Sequence, residues 1–213
     1  MDVALARDWL RSFARVMRDN RGRLTVLDSA IGDGDHGVNM DRGLSDVCRW
    51  LDEGDLPDSA GGVLSVAGAL LLTRVGGASG VLYGRAFQAM GGELASSGPD
   101  ARQLGNALGA GLEVIIKLGA AAPGDKTMVD AFAPALAAFH NSCVTTGSLP
   151  LAVAAAASAA RVGAESTIPL RARKGRASYL GHRSVGYQDP GAVSTELLFR
   201  ALAEVMSSVR VCA

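Results

Sequence analysis

Apolar residues along this chain recur at the step of a helix and nowhere at the step of a strand. Leu5, Trp9, Leu10, Phe13, Val16 and Met17 fall on one helical face, a stripe that needs a core to cover it. The same period returns at about 37–53, 59–74, 79–97, 101–118, 127–145, 149–164 and 191–209, with a shorter helical turn before Asp28. Start signals agree: Asp58 precedes the segment at 59, Asp100 follows Pro99, Ser148 precedes the segment at 149, and Asp189-Pro190 reads as an N-cap followed by proline at the first helical position. No alternating run with a hairpin turn competes. An all-α fold follows.

Short connections between helices of this length favour antiparallel neighbours. Aromatic residues make up only 5% of the chain, while Gly61, Gly62, Gly68, Ala69, Gly105, Gly109 and Gly111 lie inside the helical segments. Small residues there cost helix propensity but allow close approach. The expected architecture is an antiparallel up-and-down barrel or bundle of about eight helices, one domain over residues 1–213.

The 21 basic and 21 acidic residues cancel, so neither a nucleic-acid surface nor electrostatic membrane attachment is expected. Cys48, Cys143 and Cys212 are odd in number and widely spaced, which fits reduced thiols better than disulfides or zinc. The first helix is interrupted by Asp2, Arg7, Asp8 and Arg11, unlike a secretory leader, and the apolar stretch at 149–160 is short for a bilayer. A cytoplasmic protein is expected.

The segment LDSAIGDGDHGVNM, residues 27–40, places Asp28, Asp33 and Asp35 among small residues. Three neighbouring carboxylates repel one another unless a cation sits among them, and flanking glycines let the backbone aim their oxygens at one point. Hard oxygen ligands without a nearby cysteine favour Mg²⁺, which keeps positions for water or phosphate. An EF-hand starting at Asp33 would need glycine and glutamate where Val38 and Leu44 stand. Gly32, Gly34 and Gly37 spell a dinucleotide fingerprint, but Asp33 and Asp35 would face the phosphates charge against charge.

Three further stretches read as binding turns. Gly76-Gly77-Ala78-Ser79-Gly80 can turn backbone N–H groups and a hydroxyl toward an anion at a helix start. Gly119 to Thr127 misses the P-loop pattern because Asp125 separates Gly124 from Lys126, though the turn can present Lys126 and Thr127 at the next helix. Residues 172–189 form a basic, non-periodic loop with Arg173, Lys174, Arg176 and Arg183, whose glycines separate charges with no apolar face to bury. His36 adjoins the carboxylates and reads as a contact rather than a ligand; His140 reads as structural and His182 is open.

Five blocks, LDSAIGDGDHGVNM, VGGASGVLYG, PGDKTMVDAF, KGRASYLGHRS and GYQDPGA, together resemble the ADP-binding L-type subunits of bacterial dihydroxyacetone kinases. The same family includes the C-terminal nucleotide domain of single-chain, ATP-dependent kinases. The resemblance implies a barrel of eight antiparallel helices with nucleotide at one end. It implies that Asp28, Asp33 and Asp35 hold two Mg²⁺ ions on the phosphates of ADP or ATP. His36, Gly37, Val38 and Asn39, the turn of Gly77, Ala78 and Ser79, and Gly119, Thr127 and Met128 would line the nucleotide site. Arg176, as the catalytic cation, and Asp189, Pro190 and Gly191 would close over it. Implied partners are a separate dihydroxyacetone-binding subunit, a phosphohistidine carrier that recharges the nucleotide, and in some bacteria a transcription regulator. His182 and Tyr187 depart from the family's usual residues. Other readings are an L-type subunit of an ATP-dependent kinase for another small sugar, and a nucleotide-binding regulatory module without turnover.

Overall fold

The computed structural model describes residues 1–94 and 100–209. Among them are nine α-helices, one 3₁₀ helix and no strand. In chain order they are α1 (Val3–Asp19), α2 (Arg21–Ile31), α3 (His36–Glu53), α4 (Ala60–Arg74), α5 (Gly77–Glu93), α6 (Ala101–Gly119), α7 (Val129–Thr146), α8 (Leu149–Ser166), the 3₁₀ helix (Arg176–Ser184) and α9 (Pro190–Val209). No helix among the described residues is long and apolar enough to cross a membrane.

Most helix starts match the caps read from the sequence. Asp100 accepts from the Gln103 N–H at 2.8 Å while Gln103 returns a bond to the Asp100 N–H, a complete capping box. Asp189 accepts from the Ala192 N–H at 2.7 Å, and Pro190 opens α9. Four expectations need correction. The cap of α4 is Ser59, whose hydroxyl accepts from the Gly62 N–H at 3.0 Å, and not Asp58. The turn before Asp28 is an 11-residue helix, α2, with Asp28 inside its last turn. Helix α5 begins two residues early and ends at Glu93, and the expected extension over 95–97 lies outside the described residues, as does Cys212. Helix α7 starts at Val129 because residues 124–128 are held in a turn.

Each helix from α3 to α9 packs on its chain neighbour, and α1 closes the circuit by lying against both α3 and α9. This ring of eight is the expected architecture. Close glycine contacts reveal direction: a Cβ at Gly61 would lie 2.3 Å from Gly91 O and one at Gly68 2.5 Å from Gly84 O, so α4 and α5 run oppositely with backbones touching. Gly163, late in α8, meets Asp130 O early in α7, and Gly43 of α3 meets Val75 at the end of α4. The core draws buried side chains from every α-helix, including Trp9, Phe13, Phe87, Phe132, Phe139 and Phe199. Trp9 Nε1 donates to Leu198 O at 3.0 Å, so the largest core side chain leaves no polar atom unpaired.

Alternating direction brings the starts of α3, α5, α7 and α9 to one end of the ring. The 3₁₀ helix sits at that end against α2.

Candidate functional site

A cavity of about 400 Å³ opens between those four helix starts, within the range of roughly 300–1,000 Å³ that suits a small-molecule ligand. Its wall is built from His36 and Asn39 of α3, Gly77 to Ser79 of α5, Thr127 and Met128 before α7, and Pro190 and Gly191 of α9. The first turn of α5 carries no side-chain cap, so its N–H groups are left to face an anion.

Asp28, Asp33 and Asp35 meet at the same end, each offering an oxygen within 4.8 Å of the others'. Asp28 is buried, and its Oδ2 accepts from the backbone N–H groups of Asp35 at 2.8 Å and His36 at 3.0 Å. One carboxylate from α2 therefore caps α3 and fixes the loop that carries the other two. Gly32 makes room for it, since a Cβ there would stand 2.0 Å from Asp28 Oδ1. Three hard oxygen donors at this spacing, with no sulfur or imidazole among them, fit a divalent ion such as Mg²⁺.

His36 is buried between Ser79 Oγ and Ser194 Oγ, each 2.9 Å from a ring nitrogen. Donors follow by elimination. Ser194 and Thr195 both give their protons to Gly191 O, so Tyr83 OH donates to one of those hydroxyls and His36 Nε2–H donates to Ser194. Nδ1 is left to accept from Ser79. Burial lowers the His36 pKa, against the pull of Asp28 and Asp35, which agrees with a neutral ring. The network joins the first turns of α3, α5 and α9.

The basic segment is not the open loop read from the sequence. Residues 176–184 form a 3₁₀ helix kinked at Gly181, and Ala172, Ala177 and Leu180 pack on Ala30 and Ile31 of α2. Those few apolar contacts seat Arg176 at the cavity, where its Nε lies 3.0 Å from Asp33 Oδ2. Lys174 lines the same rim.

Below the cavity, Asp130 Oδ1 accepts from Gly124 N at 2.5 Å and Oδ2 from Thr127 N at 2.7 Å, which shapes the turn before α7. Burial pushes the Asp189 carboxyl from 3.8 up to about 7, with the Ala192 N–H and the Lys126 ammonium opposing and the Asp130 and Asp28 charges adding. The folded state thus binds this proton more tightly than the unfolded chain, so stability of the ligand-free protein falls as pH rises through that window. Asp189→Asn keeps an N-cap acceptor and is expected to flatten this slope. Urea midpoints in EDTA at about pH 5 and about pH 8 check it, and an unchanged difference between the two would refute the assignment.

Of the residues singled out from the sequence, Asp28, Asp33, Asp35, His36, Asn39, Gly77, Ala78, Ser79, Gly119, Thr127, Met128, Arg176, Asp189, Pro190 and Gly191 all line the cavity. Gly37 and Val38 do not: one helical step turns Gly37 onto Arg21 O and Thr25, and Val38 is exposed. Tyr83, Ser194, Thr195 and Asp130 were not anticipated, while Lys174 of the basic segment joins Arg176 at the rim. A Ser-Thr pair on the inward stripe of α9 was the available signal for the buried network.

Residues 30–204 match the family model described as the DAK2 domain. The chain belongs to the DAK2 domain family. This DAK2 chain is 42% identical over 196 residues to the ADP-binding subunit of PEP-dependent dihydroxyacetone kinase 1 of Listeria innocua, covering 92% of this chain and 93% of that one. It is 42% identical over 197 residues to the corresponding Escherichia coli K12 subunit, with the same coverage. The L-erythrulose 1-kinase of Mycolicibacterium smegmatis is 41% identical over 202 residues, which span 92% of the DAK2 chain but 34% of that protein. Among solved structures, the dihydroxyacetone kinase of C. freundii superposes with a TM-score of 0.75 at 30% identity, over 94% of this chain and 34% of that one. The same enzyme crystallised with AMP-PNP and Mg²⁺ gives 0.72 at 29% identity, with the same coverage.

Proposed function

We propose that the DAK2 chain is the nucleotide-binding subunit of a cytoplasmic dihydroxyacetone kinase, one domain over residues 1–213, in which ADP/ATP relays a phosphoryl group to a sugar held by a separate subunit. The observation that carries this reading is the convergence of three carboxylates and four helix starts on one cavity with Arg176 at its rim. Matches over 93% of two relatives named as ADP-binding subunits support the two-chain arrangement.

Asp28, Asp33 and Asp35 would hold two Mg²⁺ ions, which when bound neutralise phosphate charge. The carboxylates serve as ligands and not as bases. N–H groups in the first turns of α5 and α9 are placed to receive phosphate oxygens. Arg176 is free to leave Asp33 for the transferred group, whose transition state spreads negative charge over its outer oxygens. His36, held neutral, keeps Ser79 and α9 in place. Lys126 is engaged by two carbonyls and His36 by two hydroxyls, which leaves neither to capture a ketone, and the acceptor comes with a partner surface. A phosphohistidine carrier would recharge the bound nucleotide, and contact with a transcription regulator is a further role for the same face.

The match to an erythrulose kinase favours a second reading in which the acceptor is another small sugar, chosen by the partner subunit. A regulatory module without turnover is the third.

Native mass spectrometry of the purified chain tests the site and is expected to show co-purified ADP with two Mg²⁺. Because nucleotide binds only the folded state, Mg·ADP at about a hundred times its Kd should stabilise the protein by roughly 2.7 kcal/mol, and EDTA should remove that gain. A thermal midpoint indifferent to both additions would reject the reading.

A further inference from the structure

Lys126 lines the cavity yet has no part in the function proposed above. The residue is 1% exposed, and its backbone lies at φ +64, a conformation glycine adopts freely and other residues only under strain. A position that favours glycine therefore holds a lysine. The ammonium donates to Thr167 O at 2.5 Å and to Tyr187 O. These two carbonyls belong to the two ends of the basic segment, one just after α8 and one just before the cap of α9.

Other bonds close the same neck. Gly186 N donates to Ile168 O at 2.8 Å, and Asp189 N to Thr167 Oγ1 at 2.9 Å. From the neck a rigid path reaches the 3₁₀ helix: Ala172 N donates to the buried Ser184 hydroxyl, which donates to Gly181 O. Two carbonyl acceptors facing one point suit a group with at least two N–H donors, and the Lys126 ammonium offers three. Burial lowers its proton affinity, and the Asp189 and Asp130 carboxyls oppose that shift.

We propose that Lys126 is a positioning residue that pins the neck of segment 168–187 and so sets the reach of Arg176 over the cavity. It touches no reacting atom. Its effect on the reaction passes through Arg176.

The test compares Lys126→Met, Arg176→Ala and the double variant. In Lys126→Met, amide hydrogen exchange over 168–187 is expected to rise at least about tenfold while α4 to α6 keep their protection. Single-turnover phosphoryl transfer in the presence of the substrate-binding subunit should fall about tenfold or more, yet almost no further in the Arg176→Ala background. Lys126→Ala should regain both protection and rate when propylammonium fills the vacated space, and not with sodium at equal ionic strength. If Lys126→Met does not fold, Lys126→Gln, which loses the charge and turns an acceptor oxygen toward the same two carbonyls, takes its place in the cycle. Unchanged exchange over 168–187, exchange that rises equally everywhere, or rate losses that multiply in the double variant would each overturn the proposal. The kinetic arm rests on the kinase reading; the exchange arm does not, so absence of transfer in the unmodified protein would sink that reading and leave the clamp to be decided by exchange.

Discussion

Given ATP, Mg²⁺ and dihydroxyacetone but no other protein, the purified chain is expected to make no detectable sugar phosphate, and adding a substrate-binding subunit should raise transfer at least about a hundredfold. The carboxylates and Arg176 lower a barrier only after the acceptor hydroxyl stands in line with the γ-phosphoryl group. Besides helix starts, carboxylates and one network of hydroxyls, the cavity wall carries Lys126, Lys174 and Arg176, and these cations suit phosphate oxygens rather than a ketone held in a fixed pose. A coupled assay on the isolated chain, then with the partner titrated in, measures both halves. Sustained multiple turnover by the chain alone would refute the two-protein arrangement.

Comparable in size is the contrast between two aspartates of the same cluster. Asp35→Asn should weaken Mg·ADP binding on the order of a hundredfold while leaving the fold intact, because its carboxylate accepts no capping bond in α3. Asp28→Ala should lose the same affinity and also about 1 kcal/mol of stability in EDTA, since Asp28 accepts two N–H groups at the start of α3. Calorimetric titration of ADP with Mg²⁺ and urea unfolding in EDTA separate the two effects. Unchanged nucleotide affinity in Asp35→Asn would remove the metal assignment.

Much of the ring was legible because long amphipathic segments with capping residues carry their own boundaries. Helix α2 was not. Leu24, Asp28 and Ile31 keep helical spacing, but a carboxylate occupies the inward position where leucine would mark a core face, and Gly22 and Thr25 weaken the local preference. The 3₁₀ helix escaped for a related reason: its period of three, broken at Gly181, gives no stripe, and its apolar anchors are two alanines and a leucine. The carboxylate cluster was readable because mutual repulsion makes three aspartates improbable without a cation. Gly37 and Val38 stand off the cavity face, since neighbours in a helix diverge by about 100° and His36 and Asn39 are the residues of that block on α3 that line it. Lys126 was noticed as part of a failed P-loop, but nothing local tells that its partners are carbonyls 41 and 61 positions away.

The alternation of direction around the eight-membered ring has an effect at a distance as well as at the site. Seen from far off, each helix's dipole is cancelled by its neighbour's, and the 21 positive and 21 negative side chains leave no net charge to add to it. Beyond about a Debye length a phosphorylated ligand therefore feels little pull from the chain's net charge. Only when it has entered between the starts of α3, α5, α7 and α9 does it feel the rim cations and the uncapped N–H groups of α5 separately from the opposing helix ends. The attraction is local and switches on late, so selection falls on what can physically enter the cavity rather than on any anion that drifts near.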